Sequence, residues 1–341
     1  MEDIMGGGSW DTSAYASSAS SRKAAGIDDF DYDVKVQSGR ASGIHASLDP
    51  TTVAGPTSPL AGQNVRESRD SDEHPDSVPI AVFFDVTGSM GGIPRILQTK
   101  LSSLMDVIIA KAQLKDPQVL VGAIGDATCD RYPFQVGQFE SDNRFDDALR
   151  SIILEGGGGG QIKESYALAY RFAAYHTVSD AWEKRGKKGY FFTMGDEMPW
   201  PKVSADDVRR IFGVEAEADE TVEELIAKVQ EKWEVFHLFA MDGGYPDLTE
   251  IQDRWRKLLG ERFVKVEDSS LVCEIIAGLI YMLETAHDVD TVVGDMGLKG
   301  SAGASVKNAL VPVSKGRVPS HVAKGNLPKV RGKGAGGVSR I

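Results

Sequence analysis

Residues 80–90 read Ile-Ala-Val-Phe-Phe-Asp-Val-Thr-Gly-Ser-Met, an apolar run that stops at Asp85 and continues into hydroxyls at Thr87 and Ser89. One carboxylate and two neutral oxygens at alternate positions are the donor types that Mg²⁺ takes while keeping several waters. The spacing suggests metal chemistry without a nucleophile. A run without alternation fits a parallel strand covered on both faces, and the change to Asp, Thr, Gly and Ser marks its carboxyl end. Ligands of open α/β sheets gather at that edge.

The elements that must position these residues alternate between strand and helix. After the Asp85 strand, 93–114 carries apolar residues at helical spacing with Pro94 near its start. A strand at 119–124 and a short edge strand at 133–139 follow, then helices near 143–153 and 162–181 separated by the glycines 156–160. Strands at 190–194, 235–240 and 262–266 alternate with helical stretches within 204–232, at 247–259 and at 270–286. This predicts an α/β fold, a Rossmann-like doubly wound, mostly parallel six-stranded sheet with one short antiparallel edge strand.

Of the 341 residues, the fold is expected to occupy only 78–287. Residues 1–77 are Ser- and Gly-rich and acidic, with thirteen acidic against six basic residues in 1–78, and read as a disordered tail. Within them, 30–36 alternates enough to add as a strand to an edge. Residues 288–341 read as a flexible basic Gly-rich tail, with nine basic and no acidic residues in 296–341. The formal charge of −12 argues against non-specific nucleic-acid binding by the acidic body, leaving RNA or DNA contact only to that tail. Cys129 and Cys273 form no CxxC pair, so no disulfide framework or zinc-thiolate site is indicated. The start lacks a basic region followed by an apolar one, and no apolar run is long enough to span a membrane. A cytoplasmic protein without membrane contact is expected.

Asp85-Val86-Thr87-Gly88-Ser89-Met90 resembles the DxTGSM variant of the metal-ion-dependent adhesion site in von Willebrand factor type A domains, over about residues 78–287. The resemblance implies Mg²⁺, with Mn²⁺ or Ca²⁺ as substitutes, at the carboxyl edge of the sheet. Its ligands would be an acid and two hydroxyls of a first loop, a residue of a second loop and an aspartate of a third. Asp85, Thr87 and Ser89 match the first loop. Asp196, in Gly195-Asp196-Glu197-Met198-Pro199, is similar to the aspartate of the third. The second loop departs from the pattern: Gly156–Gly160 runs into Gln161, Glu164 and Ser165, any of which would complete the shell, and Glu164 is favoured because it would begin a helix. The function implied is capture of an Asp or Glu side chain of a partner protein. An AAA+ ATPase is a frequent companion of intracellular members, and subunits of another assembly are the alternative.

Other readings fare worse. Residues 83–89 are also similar to the DxDGT segment of haloacid-dehalogenase phosphatases, but Thr87 replaces the acid/base aspartate and cannot protonate a leaving group. Trp200 stands where a second late acid would be. No enzyme is expected. The glycine run lacks a following Lys-Ser/Thr and so does not form a phosphate loop. Asp85 and Ser89 have a plainer reading as helix caps, and Asp196 as a turn residue. His176 and His237 read as packed or surface histidines, and Trp200 as a rim beside Asp196. A scaffold that binds partners through helices or tails, with a structural metal, is the main rival.

Overall fold

The computed structural model describes residues 8–101, 104–112, 114–157 and 160–315. Six strands build the central sheet and are numbered along the chain: β1 Val78–Asp85, β2 Pro117–Ile124, β3 Phe134–Val136, β4 Gly189–Gly195, β5 Trp233–Ala240 and β6 Phe263–Val266. Their spatial order is β6-β5-β4-β1-β2-β3, parallel throughout except that β3 runs antiparallel to β2. The doubly wound architecture and the antiparallel edge strand are those the alternation of elements predicts.

β1 is buried along its whole length and divides its side chains between two cores. Ile80, Val82 and Phe84 join one face, beneath the helices Ile93–Leu101, Leu104–Lys111 and Val272–Thr285. Ala81 and Phe83 join the other, beneath Tyr166–Tyr175, Val222–Lys232 and Thr249–Leu259. Period-2 side chains with helices on both faces explain why β1 is apolar without alternation. β1 pairs with β2 on one side and β4 on the other, so the chain order reverses beside it. Asp85 stands opposite Ile124, and Phe84 opposite Met194, which brings Asp85, Asp126 and Asp196 to one edge at the switch point.

Residues 8–77 differ from the disordered tail expected for 1–77. They form the helices Thr12–Ala24 and Asp31–Gln37, and Arg66–Ser68 pairs in parallel with Thr177–Ser179. The stretch 30–36, expected as a strand, is helical from Asp31, and Phe30 is completely buried. The reason is tertiary: a few anchors dock a polar segment that average composition reads as soluble chain. Arg66, also completely buried, donates from Nε to Gly137 O at 3.1 Å, from Nη1 to Thr52 O at 2.8 Å and from Nη2 to Asp49 O at 2.7 Å. Arg22 pairs with Asp146 at 2.8 Å, and Trp10 Nε1 donates to Asp106 at 2.7 Å.

The boundary at 287 also shifts. Val289–Asp295 and Gly300–Lys315 are helices, and Val292, Val306 and Leu310 bury themselves in the first core. Their apolar residues recur at helical spacing within a Gly- and Lys-rich background, so the tail's composition conceals the pattern. Six of the nine basic residues of 296–341 fall in 316–341, outside the described residues. Among the described residues no helix is long and apolar enough to cross a membrane.

Candidate metal centre

Loops at the carboxyl edge enclose a cavity of about 290 Å³. Thr87, Ser89, Glu164, Asp126, Glu197 and Tyr245 contribute to its lining. Of the residues expected to hold a metal, Thr87, Ser89 and Glu164 thus face the cavity, while Asp85 and Asp196 are buried behind the two hydroxyls. Asp85 Oδ1 accepts from the Thr87 amide at 2.8 Å and the Thr87 hydroxyl at 2.5 Å. Ser89 Oγ donates to Asp196 Oδ1 at 2.8 Å, and the Gly244 amide donates to Asp196 Oδ2. Each hydroxyl therefore spends its one proton on a carboxylate behind it and keeps oxygen lone pairs for whatever enters the cavity.

The first loop is a turn of 3-10 helix, Gly88–Met90, entered directly from β1. It lies against the glycine run: Gly88 N donates to Gly157 O at 2.6 Å, and a Cβ on Gly88 would stand 2.8 Å from that oxygen. Asp85 is held from the other side by Tyr166, whose buried hydroxyl donates to Oδ2 at 2.8 Å. That reach requires glycine at 195, where a Cβ would fall 1.8 Å from the Tyr166 oxygen.

The second loop resolves the three alternatives into three different tasks. Glu164 sits in a two-residue strand, Lys163–Glu164, before the helix rather than at its start, and its Oε1 accepts from the Ser165 amide at 2.7 Å. Gln161 also lines the cavity, but its amide donates to Asp126 Oδ2 at 2.6 Å, so it acts through that carboxylate. Ser165 turns away and accepts from Ala127 N at 2.9 Å, fastening the loop after β2.

Sequence reasoning missed Asp126, Glu197 and Tyr166. Asp126 had a readable signal, since it follows the β2 run by two residues at the same edge as Asp85. Glu197 had a weaker one, its place beside Asp196. Tyr166 had none, because its contact spans 81 residues. Trp200 does not line the cavity; its Nε1 donates to Asp126 Oδ1 at 3.1 Å. His237 is buried, stacked on Trp255 at 3.6 Å, with Nδ1 2.9 Å from Thr193 Oγ1. His176 is buried against Phe212.

The electrostatics of this edge are one-sided. Burial pushes Asp85 above the usual carboxylate range and the charge of Asp196 adds to it, against the Thr87 donors. Burial raises Glu164 strongly, with Asp85 as the next cause, and Glu197 is pushed up to about 8 by burial and then by Asp85. Asp196 is raised by burial, against the Ser89 hydroxyl and the Gly244 amide. Among the described residues none of these carboxylates draws on a cationic side chain. Nor do three or more His, Cys, Asp or Glu side chains gather into a ligand cluster among those residues. The donors that do converge are carboxylate and hydroxyl oxygens without nitrogen or sulfur. Such a set, in a cavity with these four acidic side chains in or behind its wall and Lys163 as the one cation among the described lining residues, fits a hard divalent cation.

No model of a known protein family matches the chain, and no curated protein matches it in sequence. Among solved structures it is similar to the pilus adhesin SpaC from Lactobacillus rhamnosus GG in its open conformation, at 10% identity and a TM-score of 0.44, over 64% of this chain and 31% of that one. It is also similar to proximal thread matrix protein 1 from the mussel byssus with a zinc-occupied MIDAS motif, at 12% identity and a TM-score of 0.41, over 61% of this chain and 48% of that one. The chain spans less than half the length of either neighbour.

Proposed function

We propose that this chain is a metal-dependent protein-interaction module, in which a divalent cation at the carboxyl edge of the sheet captures an acidic side chain of a partner. The observation that carries the reading is the pair of hydroxyls, Thr87 and Ser89, each donating to a buried aspartate and each lining the same cavity. Mg²⁺, or Mn²⁺ or Ca²⁺ in its place, would supply a positive centre with positions open to an incoming carboxylate. Thr87, Ser89 and Glu164 would hold it, with Asp85 and Asp196 orienting the hydroxyls and balancing charge. Tyr166 positions Asp85, and Gly244 positions Asp196. A binding role rather than a catalytic one is favoured by Thr87, which has no acid/base capacity at neutral pH. Subunits of a larger assembly, an AAA+ ATPase among them, are the partners proposed.

Capture of proteins in Mg²⁺, elution with EDTA, and loss of both in Asp85→Ala test this reading. Mg²⁺ titration by calorimetry that shows no heat with the wild-type chain would sink it. A second reading has its own observation: Glu164 and Glu197 both line the cavity and together can fill the coordination shell from within. The cation would then be structural and partners would bind elsewhere. Glu197→Gln separates the two, since the adhesive reading, in which Glu164 and not Glu197 holds the ion, predicts stronger capture without Glu197, and the structural reading predicts weaker stabilisation by Mg²⁺ without a gain in capture.

A further inference from the structure

Beside the metal cavity lies a second, of about 300 Å³, walled chiefly by Ala127, Ala167, Leu168, Trp200, Pro201 and Val203. Three contacts join the two. Gln161, in the wall of the first, donates to Thr128 Oγ1, in the wall of the second, at 3.2 Å. Trp200 of the second donates to Asp126 of the first at 3.1 Å. Lys163 lines the first and carries its ammonium 4.9 Å from the centre of the Trp200 ring. The partition is thus one side chain thick, and it carries a cation.

The two cavities differ in kind. The first presents oxygen atoms; the second presents methyl groups, a proline and the face of an indole, with room for a bulky apolar side chain. An apolar cavity next to a polar one suits a ligand that is polar at one point and apolar a short step away. We propose that the partner segment is read at two points, an acidic residue at the metal cavity and a neighbouring bulky apolar residue in the Trp200 cavity. This rests on the adhesive reading above and specifies its partner. Lys163 stands between the points, its ammonium over the Trp200 ring, where its charge complements the acidic residue. The apolar pocket gives the site selectivity among acidic segments, which a metal ion alone does not provide.

The test uses the full chain with labelled Leu and Val methyls, and blocked peptides carrying one Glu and one Leu separated by zero to three glycines. In Mg²⁺ at least one spacing is expected to shift the Leu168 and Val203 methyls together with the Gly244 amide. That peptide is expected to bind about tenfold tighter than its Leu→Gly control, and EDTA is expected to abolish both shifts. Ala127→Leu, which fills the cavity from its wall, is expected to erase the tenfold difference while Mg²⁺ binding persists. Glu peptides that shift Gly244 alike with and without Leu overturn the two-point proposal and leave the metal reading intact. Peptides that shift neither group while Mg²⁺ binds overturn it as well. Absence of Mg²⁺ binding to the wild type overturns the reading beneath it.

Discussion

The N-terminal wrap and the carboxyl edge of the sheet both bury charge, and they treat it in opposite ways. In the wrap the arginines find oxygen partners: Arg66 meets three carbonyls, Arg22 meets Asp146, and Arg69 meets Glu67, Asp180 and Glu183. At the sheet edge Asp85, Glu164, Asp196 and Glu197 meet hydroxyls, amides and one another. Cations held by oxygens of the protein itself make fasteners. Four carboxyl groups gathered around a cavity with one lysine in its wall leave a surplus of acid that a cation from outside balances. The kind of partner, and not burial alone, separates a structural charge from a candidate functional one.

The comparison breaks most sharply at Arg66. Arg66→Met leaves the carbonyls of Asp49, Thr52 and Gly137 without their donor, and is expected to cost about 4 kcal/mol in chemical denaturation. A loss below about 1 kcal/mol would show that the wrap is held by other contacts. Asp85→Asn is the counterpart at the sheet edge. Removing an uncompensated charge is expected to leave metal-free stability equal or higher, while abolishing the gain from Mg²⁺, about 2.7 kcal/mol at a hundredfold excess over Kd. Unfolding of the metal-free Asn variant would make Asp85 a fastener after all.

The pH dependence separates the regions by sign. Glu197 is raised from 4.5 to about 8, so the folded state holds a proton that the unfolded chain releases, and metal-free stability falls as pH rises between those values. His176, whose Nδ1 lies 2.8 Å from Asn64 O in the wrap, is lowered from 6.5 to about 4 by burial. Its unfolded form takes the proton first, and stability falls as pH drops through that window. Each slope is expected to be on the order of 1 kcal/mol per pH unit in thermal unfolding curves. Saturating Mg²⁺ should flatten the upper one only, and Glu197→Gln should remove it. An upper slope unchanged by both would detach Glu197 from the metal cavity.

The sheet was legible because its signals are local: β1 is apolar throughout and ends on Asp85, and β4 likewise ends at Gly195-Asp196. The first-loop hydroxyls were legible for the same reason. The wrap was not, because its order comes from contacts such as Arg66 with Gly137, 71 residues away, while its own helix Thr12–Ala24 buries nothing. The second loop was legible only as a set of alternatives. Glu164, Gln161 and Ser165 differ in what lies opposite, and their partners Asp126 and Ala127 come from another part of the chain. Tyr166 and Gly195 make sense only as a pair, since the hydroxyl fits where a Cβ is missing.

The short ladder between Arg66–Ser68 and Thr177–Ser179 carries a consequence for the order of assembly. Arg69 and Asp180, at its end, are 111 residues apart. During synthesis β1 and β2 are available to pair long before Thr177 leaves the ribosome, whereas the wrap has no strand to join until then. Loop closure over such a span adds only when much of the sheet already exists. The wrap, made before the sheet it covers, is therefore among the last elements to lock, and until it does the core surface that receives Phe30 and Leu48 stays open to chaperones.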